Sequence, residues 1–104
     1  MFLSHNHIRK LKGLDNLRNL KALVLYYNEI SKLENLSQLI NLKELYMDGN
    51  QISIIEGLGS LDKLRKISLW KNNIPSEVFD KFRQIDEDEI IAQKVLEYCR
   101  KNKK

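Results

Sequence analysis

The chain has 104 residues, one cysteine and a net charge of +4 at pH 7. That length fits a single domain, the lone Cys99 excludes an intrachain disulfide, and no window approaches the roughly 18 apolar residues that a membrane-spanning helix needs. The positive balance is terminal: Arg100, Lys101, Lys103 and Lys104 account for it, and the 14 basic residues before them are matched by 14 acidic ones, so the body of the chain is neutral.

In chain order, the first stretch is the tail of a unit that then recurs. Leu3, Asn6 and Ile8 open it, after an apolar run too short for a secretory leader. The full frame follows as Leu20, Leu23, Leu25, Asn28, Ile30. It returns as Leu42, Leu45, Met47, Asn50, Ile52, and again as Leu64, Ile67, Leu69, Asn72, Ile74. The asparagines stand 22 residues apart, and a fixed period of this length marks a repeat architecture.

Within each frame, apolar and polar residues alternate, which predicts short strands near 22–26, 44–48 and 66–70, with a stub at 1–5. Leu23 and Leu25 then face the core, and the residues between them face away. Between frames, apolar residues step by three, as in Ile8, Leu11, Leu14, Leu17 and in Ile30, Leu33, Leu36, Leu39. A step of three predicts tight 3₁₀-like turns. Gly13, Gly57 and Gly59 fall in these segments, where tight turning is expected. The frame begins inside a strand, leaving Leu3, Ile8, Leu11 and Leu14 at an open core end. Either a longer parent chain or self-association through the first strand would cover it.

After Asn72 the frame fails. Ile74, Val78, Phe79 and Phe82 take helical spacing, with Pro75 in the first turn. A second helix follows: Asp86 is its expected N-cap, Glu89 the capping-box partner, and Ile85 with Ile90 the hydrophobic staple. Ile91, Ala92, Val95, Tyr98 and Cys99 form its apolar stripe. Residues 1–74 therefore read as about four repeats, the first truncated. Residues 75–104 read as a helical C-terminal cap ending in a basic tail.

The frame L-x-x-L-x-L-x-x-N-x-I, present over residues 2–74, resembles the intracellular leucine-rich repeat class with 22-residue repeats. The regulatory subunit of protein phosphatase 1 is its best-known type. The chain lacks the Tyr-Arg…Leu-Pro cap motif of several members. The resemblance implies an α/β leucine-rich repeat solenoid: a short parallel concave sheet, a convex side of 3₁₀ turns and a helical cap. It also implies that the concave face binds another protein, often a helix, with Tyr26, Tyr46 and Trp70 facing it. For Asn6, Asn28, Asn50 and Asn72 it implies a structural ladder, each amide bonded to the backbone of the adjoining turn.

The outward residues align in rows across the repeats. The first is Phe2, Val24, Tyr46, Ser68; the second is Ser4, Tyr26, Asp48, Trp70; the third, at the strand ends, is His5, Tyr27, Gly49, Lys71. All are expected on the exposed face, and Phe2, Tyr26, Tyr27, Tyr46 and Trp70 are five of the chain's eight aromatics. Clustered exposed aromatics mark interaction surfaces. Lys21, Lys43 and Arg65, with Glu44 and Lys66 beside them, form a charged rim suited to orienting a partner.

These residues predict a non-catalytic protein-interaction module, a scaffold or a regulatory subunit, in a reducing cytoplasmic setting. No cofactor is expected. His5 and His7 flank a ladder asparagine without a third ligand, so no metal is expected either. No Gly-rich phosphate loop and no Ser/His/Asp or Cys/His set suggests an enzyme. The alternative is a nucleic-acid binder using the basic tail and stacking aromatics, against which the neutral body counts.

Overall fold

Alternation of apolar and polar residues, repeated every 22 positions, builds one parallel sheet. The computed structural model describes residues 1–82 and 92–101. Strands β1 (Ala22–Val24), β2 (Glu44–Tyr46) and β3 (Lys66–Ser68) lie in that order. Leu23 pairs with Leu45, and Leu45 with Ile67, each partner one period on. Phe2 bridges Val24 in the same parallel sense, so the stub joins the pattern.

The regular strands are three residues long, shorter than the five predicted. Each runs into a left-handed residue at the same place in the frame: His5, Tyr27, Gly49 and Lys71 have φ of 60°, 55°, 76° and 58°. The backbone turns there, but cross-repeat hydrogen bonding continues up to the turn. Leu25 N–H donates to Tyr46 C=O at 2.8 Å, and Tyr27 N–H to Asp48 C=O at 2.9 Å.

Leu23, Leu25, Leu42, Leu45, Met47, Leu64, Ile67 and Leu69 are buried behind the sheet in one apolar core with the residues stepped by three. Each such leucine contributes roughly 1.5–3 kcal/mol of transfer free energy. Leu11 and Leu14, expected at an open end, are buried; Leu3, Ile8, Leu17 and Leu20 are partly buried. The stepped segments carry i to i−3 hydrogen bonds, Leu39 N–H to Leu36 C=O and Leu42 N–H to Leu39 C=O, both at 3.0 Å. These bonds are separate turns rather than the overlapping series of a 3₁₀ helix.

Two of the three glycines in these segments serve as expected. Gly13 and Gly57 have φ of 74° and 75°, and Asn35 occupies the matching place in the repeat between them at 60°. Asn35 adds a bond that glycine cannot, its amide donating to Leu11 C=O at 2.6 Å. Gly59 has a different role. A side chain there would meet Arg100 Cγ at 3.2 Å, so this glycine admits the C-terminal helix.

Pro75 stands at the N-cap of α1 (Ser76–Phe79), one residue ahead of the expected first turn. Helix α2 (Ala92–Lys101) buries Ala92, Val95, Leu96 and Cys99, the i, i+3, i+4, i+7 set of an amphipathic helix. Leu96 was not in the predicted stripe, which ran through Tyr98 instead. Tyr98 lies at its edge, packed edge-to-face on Phe82 at 5.4 Å between ring centres. Arg100 fastens the helix to the last stepped segment, its Nε donating to Gly59 C=O at 2.9 Å and its guanidinium pairing with Asp62 at 2.7 Å. Burial pushes the Cys99 thiol up, against a backbone hydrogen bond at Leu58 that pulls it down. The thiol is therefore held neutral in the core. The predicted cap Asp86, its partner Glu89, the staple Ile85 and Ile90, the stripe residue Ile91 and the tail lysines Lys103 and Lys104 lie outside the described residues.

Candidate functional site: the sheet face

The asparagine ladder fixes the edge of this face. Asn50 accepts from Ile30 N–H at 3.1 Å and donates to Leu25 C=O at 2.8 Å and Met47 C=O at 2.9 Å. Asn28 and Asn72 repeat the pattern, Asn28 accepting from Asn6 and Ile8 N–H and Asn72 from Ile52 N–H. Each amide reaches a carbonyl 25 residues earlier. Asn6 takes a different part. Its side chain is exposed and it contributes its backbone N–H instead. The ladder thus holds three of the four predicted asparagine side chains.

In the first row the exposure varies more than alternation predicts. Phe2 is 81% exposed, but Val24, expected outward and open, is only 8% exposed. The register sets its short branched side chain between the larger Phe2 and Tyr46, which limits what solvent can reach. Tyr46 is half-buried beside Tyr26, their rings tilted at 5.9 Å between centres.

The second row is tied across repeats. Ser4 Oγ accepts from Tyr26 N–H at 3.0 Å. Asp48, two positions along that row, accepts from Trp70 N–H at 2.8 Å and from the Ser68 hydroxyl at 2.6 Å. Its carboxylate is thus engaged within the protein rather than offered outward. Trp70 was expected to be exposed. It is half-buried because Phe79 of α1 packs edge-to-face on its ring at 4.8 Å.

The third row is a stack along the strand ends. His5 lies on Tyr27 at 5.1 Å, and the Lys71 ammonium stands 5.9 Å from the Tyr27 ring centre. The Tyr27 ring fills the space over Gly49, 2.3 Å from where a Cβ would stand. Tyr27 stays 47% exposed. His7 goes elsewhere, to Glu29 at 3.0 Å, and that hydrogen bond is the main reason the Glu29 carboxyl sits below its usual range. Among the described residues no three His, Cys, Asp or Glu side chains are grouped to hold a metal. No helix there is long and apolar enough to cross a membrane.

Glu44, on the same face, accepts the Tyr46 phenol at 2.5 Å. That bond, with burial and the negative charge adding to it, pushes Tyr46 up to about 12. Burial and the Asp48 charge push Tyr26 up as well. The protonated phenol is the donor, so its contribution to stability is complete below the ordinary tyrosine value of about 10. It is lost as the pH rises through about 12. Alkaline titration of tyrosinate absorbance is expected to show this delayed ionisation. Glu44→Ala should return Tyr46 toward the ordinary range, and an unchanged profile would contradict the pairing.

Alternation located the face but not its internal ties. The serine and aspartate of the second row were visible in the sequence. Their bonds to the next repeat's N–H follow only from the 22-residue register. A family model described as Leucine-rich repeat matches residues 1–103, beyond the 2–74 stretch that carries the frame. No curated protein matches the chain.

Proposed function

The chain belongs to the leucine-rich repeat family, and on that premise we propose that it is a non-catalytic interaction module that binds another protein through its sheet face. Leucine-rich repeat domains generally mediate protein–protein interaction and are typically not enzymes. In this reading residues 1–74 form a short solenoid of the 22-residue class, with the sheet on its concave side. Residues 75–104 form the cap. The scaffold or regulatory role and the reducing, cytoplasmic setting belong to the same proposal, the latter supported by the single buried Cys99.

One observation carries it: Phe2, Tyr26 and Tyr46 share one side of the sheet, while the leucines of the frame point to the other. Partly open aromatics in a patch are the residues from which binding hot spots are made. Tyr26 and Tyr46 are the expected centre, and Phe2 the most accessible contact. Trp70 carries Phe79 edge-to-face on its ring.

The test is affinity capture from the native cell followed by mass spectrometry, with Phe2→Ala/Tyr46→Ala as the comparison. Proteins enriched by the parent should bind the folded double variant at least about tenfold more weakly, a hot-spot-sized loss. Equal recovery on both would refute the sheet face as the binding surface. Ile54→Ala, at an exposed site away from the strands, should leave capture unchanged.

A further inference from the structure

The acidic side chains of the sheet face are engaged within the protein, and the basic ones beside them are not. Glu44 accepts the Tyr46 phenol, and Asp48 accepts the Ser68 hydroxyl and the Trp70 N–H. At the start of the strands, by contrast, Lys21, Lys43 and Arg65 stand one per repeat. Their backbones are linked in register, Lys43 N–H to Lys21 C=O at 2.8 Å and Arg65 N–H to Lys43 C=O at 2.9 Å. Lys21 and Arg65 are exposed and Lys43 half-buried. Among the described residues none of the three forms an ion pair. Three cations in a column at the ~4.8 Å strand spacing repel one another until a partner supplies opposite charge.

We propose that the sheet face takes an acidic amphipathic helix of a partner protein, laid across the strands with carboxylates over Lys21, Lys43 and Arg65 and apolar side chains against Tyr26 and Tyr46. This rests on the sheet-face reading above and adds the chemistry of the partner. The metric favours a helix. Residues i and i+7 of a helix are about 10.5 Å apart along its axis, close to the roughly 10 Å spanned by three neighbouring strands. Intermediate positions i+3 or i+4 fall near the middle cation. An extended segment presents one side every ~6.6 Å and drifts out of phase. The carboxylates of Glu44 and Asp48 lie in the interior of the face, where they would repel a phosphate backbone. A helix can keep its own acids to one edge. Nucleic-acid binding also needs positive charge spread over the track.

The experiment uses fluorescence anisotropy with a labelled synthetic peptide of about 18 residues, long enough to hold a helix. It carries glutamates at i, i+3 and i+7 with leucines on the adjoining face. A counterpart has lysines for the glutamates. The acidic peptide should bind the protein, more weakly as salt rises, and Lys21→Glu/Lys43→Glu/Arg65→Glu should weaken it by at least about tenfold. The lysine peptide should prefer the charge-reversed variant, which also reports that this variant is folded. Failure of the acidic peptide to bind overturns the proposal. So does equal binding of the two peptides, an unchanged affinity after reversal, or tighter binding of a single-stranded oligonucleotide. If cellular partners are lost on Phe2→Ala/Tyr46→Ala but kept on charge reversal, the sheet-face reading stands and the acidic helix does not.

Discussion

Replacing Asn50 with alanine is expected to lower the unfolding free energy by about 3 kcal/mol, whereas the same change at Asn6 should cost under about 0.5 kcal/mol. Asn50 is buried between two repeats and serves groups of both. Its loss would leave Ile30 N–H without its partner and take one of two amide donors from the carbonyls of Leu25 and Met47, which keep Asn28 and Asn72 respectively. The orphaned N–H costs about 1–3 kcal/mol and each of the two lost amide bonds adds about 0.5–1.5 kcal/mol, in a domain whose total stability is on the order of 5–15 kcal/mol. Repeats contact only their neighbours, so a fault in the middle one weakens both interfaces. Thermal unfolding should show a midpoint roughly 15 °C lower for Asn50→Ala. Asn50→Asp should not rescue it. A carboxylate keeps the acceptor for Ile30 but turns negative charge on the Leu25 and Met47 carbonyls. Equal midpoints for Asn50→Ala and Asn6→Ala would show that the ladder does not hold the repeats together.

Gly49→Ala carries the second-largest effect, for two separable reasons. The first is conformational: φ at Gly49 is 76°, where a side chain costs about 1–2 kcal/mol. The second is steric, because the new methyl would stand 2.3 Å from the Tyr27 ring. Gly13 isolates the first term, with φ of 74° and nothing within 4 Å of its would-be Cβ. Gly13→Ala should therefore cost about 1 kcal/mol, and Gly49→Ala about 2–3 kcal/mol once the Tyr27 ring is displaced. Adding Tyr27→Ala to Gly49→Ala should remove most of the steric part. The double variant would then be no less stable than Gly49→Ala alone, a non-additivity that chemical denaturation can read. Strict additivity would mean that the ring does not rest on Gly49.

The order of the fold could be read from spacing because each turn of the chain repeats the same physical problem. Leucines two apart in a strand must face one way, and asparagines 22 apart must meet the same backbone carbonyls. Hence the parallel pairing, the buried Leu23, Leu45 and Ile67, and the ladder of Asn28, Asn50 and Asn72 all matched their positions in the frame. What spacing does not carry is the reach of a neighbour. Val24 is outward by alternation but shielded by the size of what stands beside it. Trp70 is outward by alternation but met by Phe79, which arrives from a helix beyond the frame. Gly59 resembles a turn glycine, and only the approach of Arg100 from 41 residues away explains it. The left-handed row at His5, Tyr27 and Lys71 was hidden because those residue types seldom adopt positive φ. Gly49 was its one visible sign.

The face itself is most directly tested by hydroxyl-radical footprinting of the protein, free and bound to a captured partner. The aromatic rings are the reporters, read side chain by side chain by mass spectrometry. Phe2, Tyr26 and Tyr46 should lose most of their reactivity on binding, while Ile40 and Ile54, exposed outside the strands, keep theirs. Protection of Ile40 and Ile54 with the three aromatics still reactive would place the partner off the sheet and contradict the account.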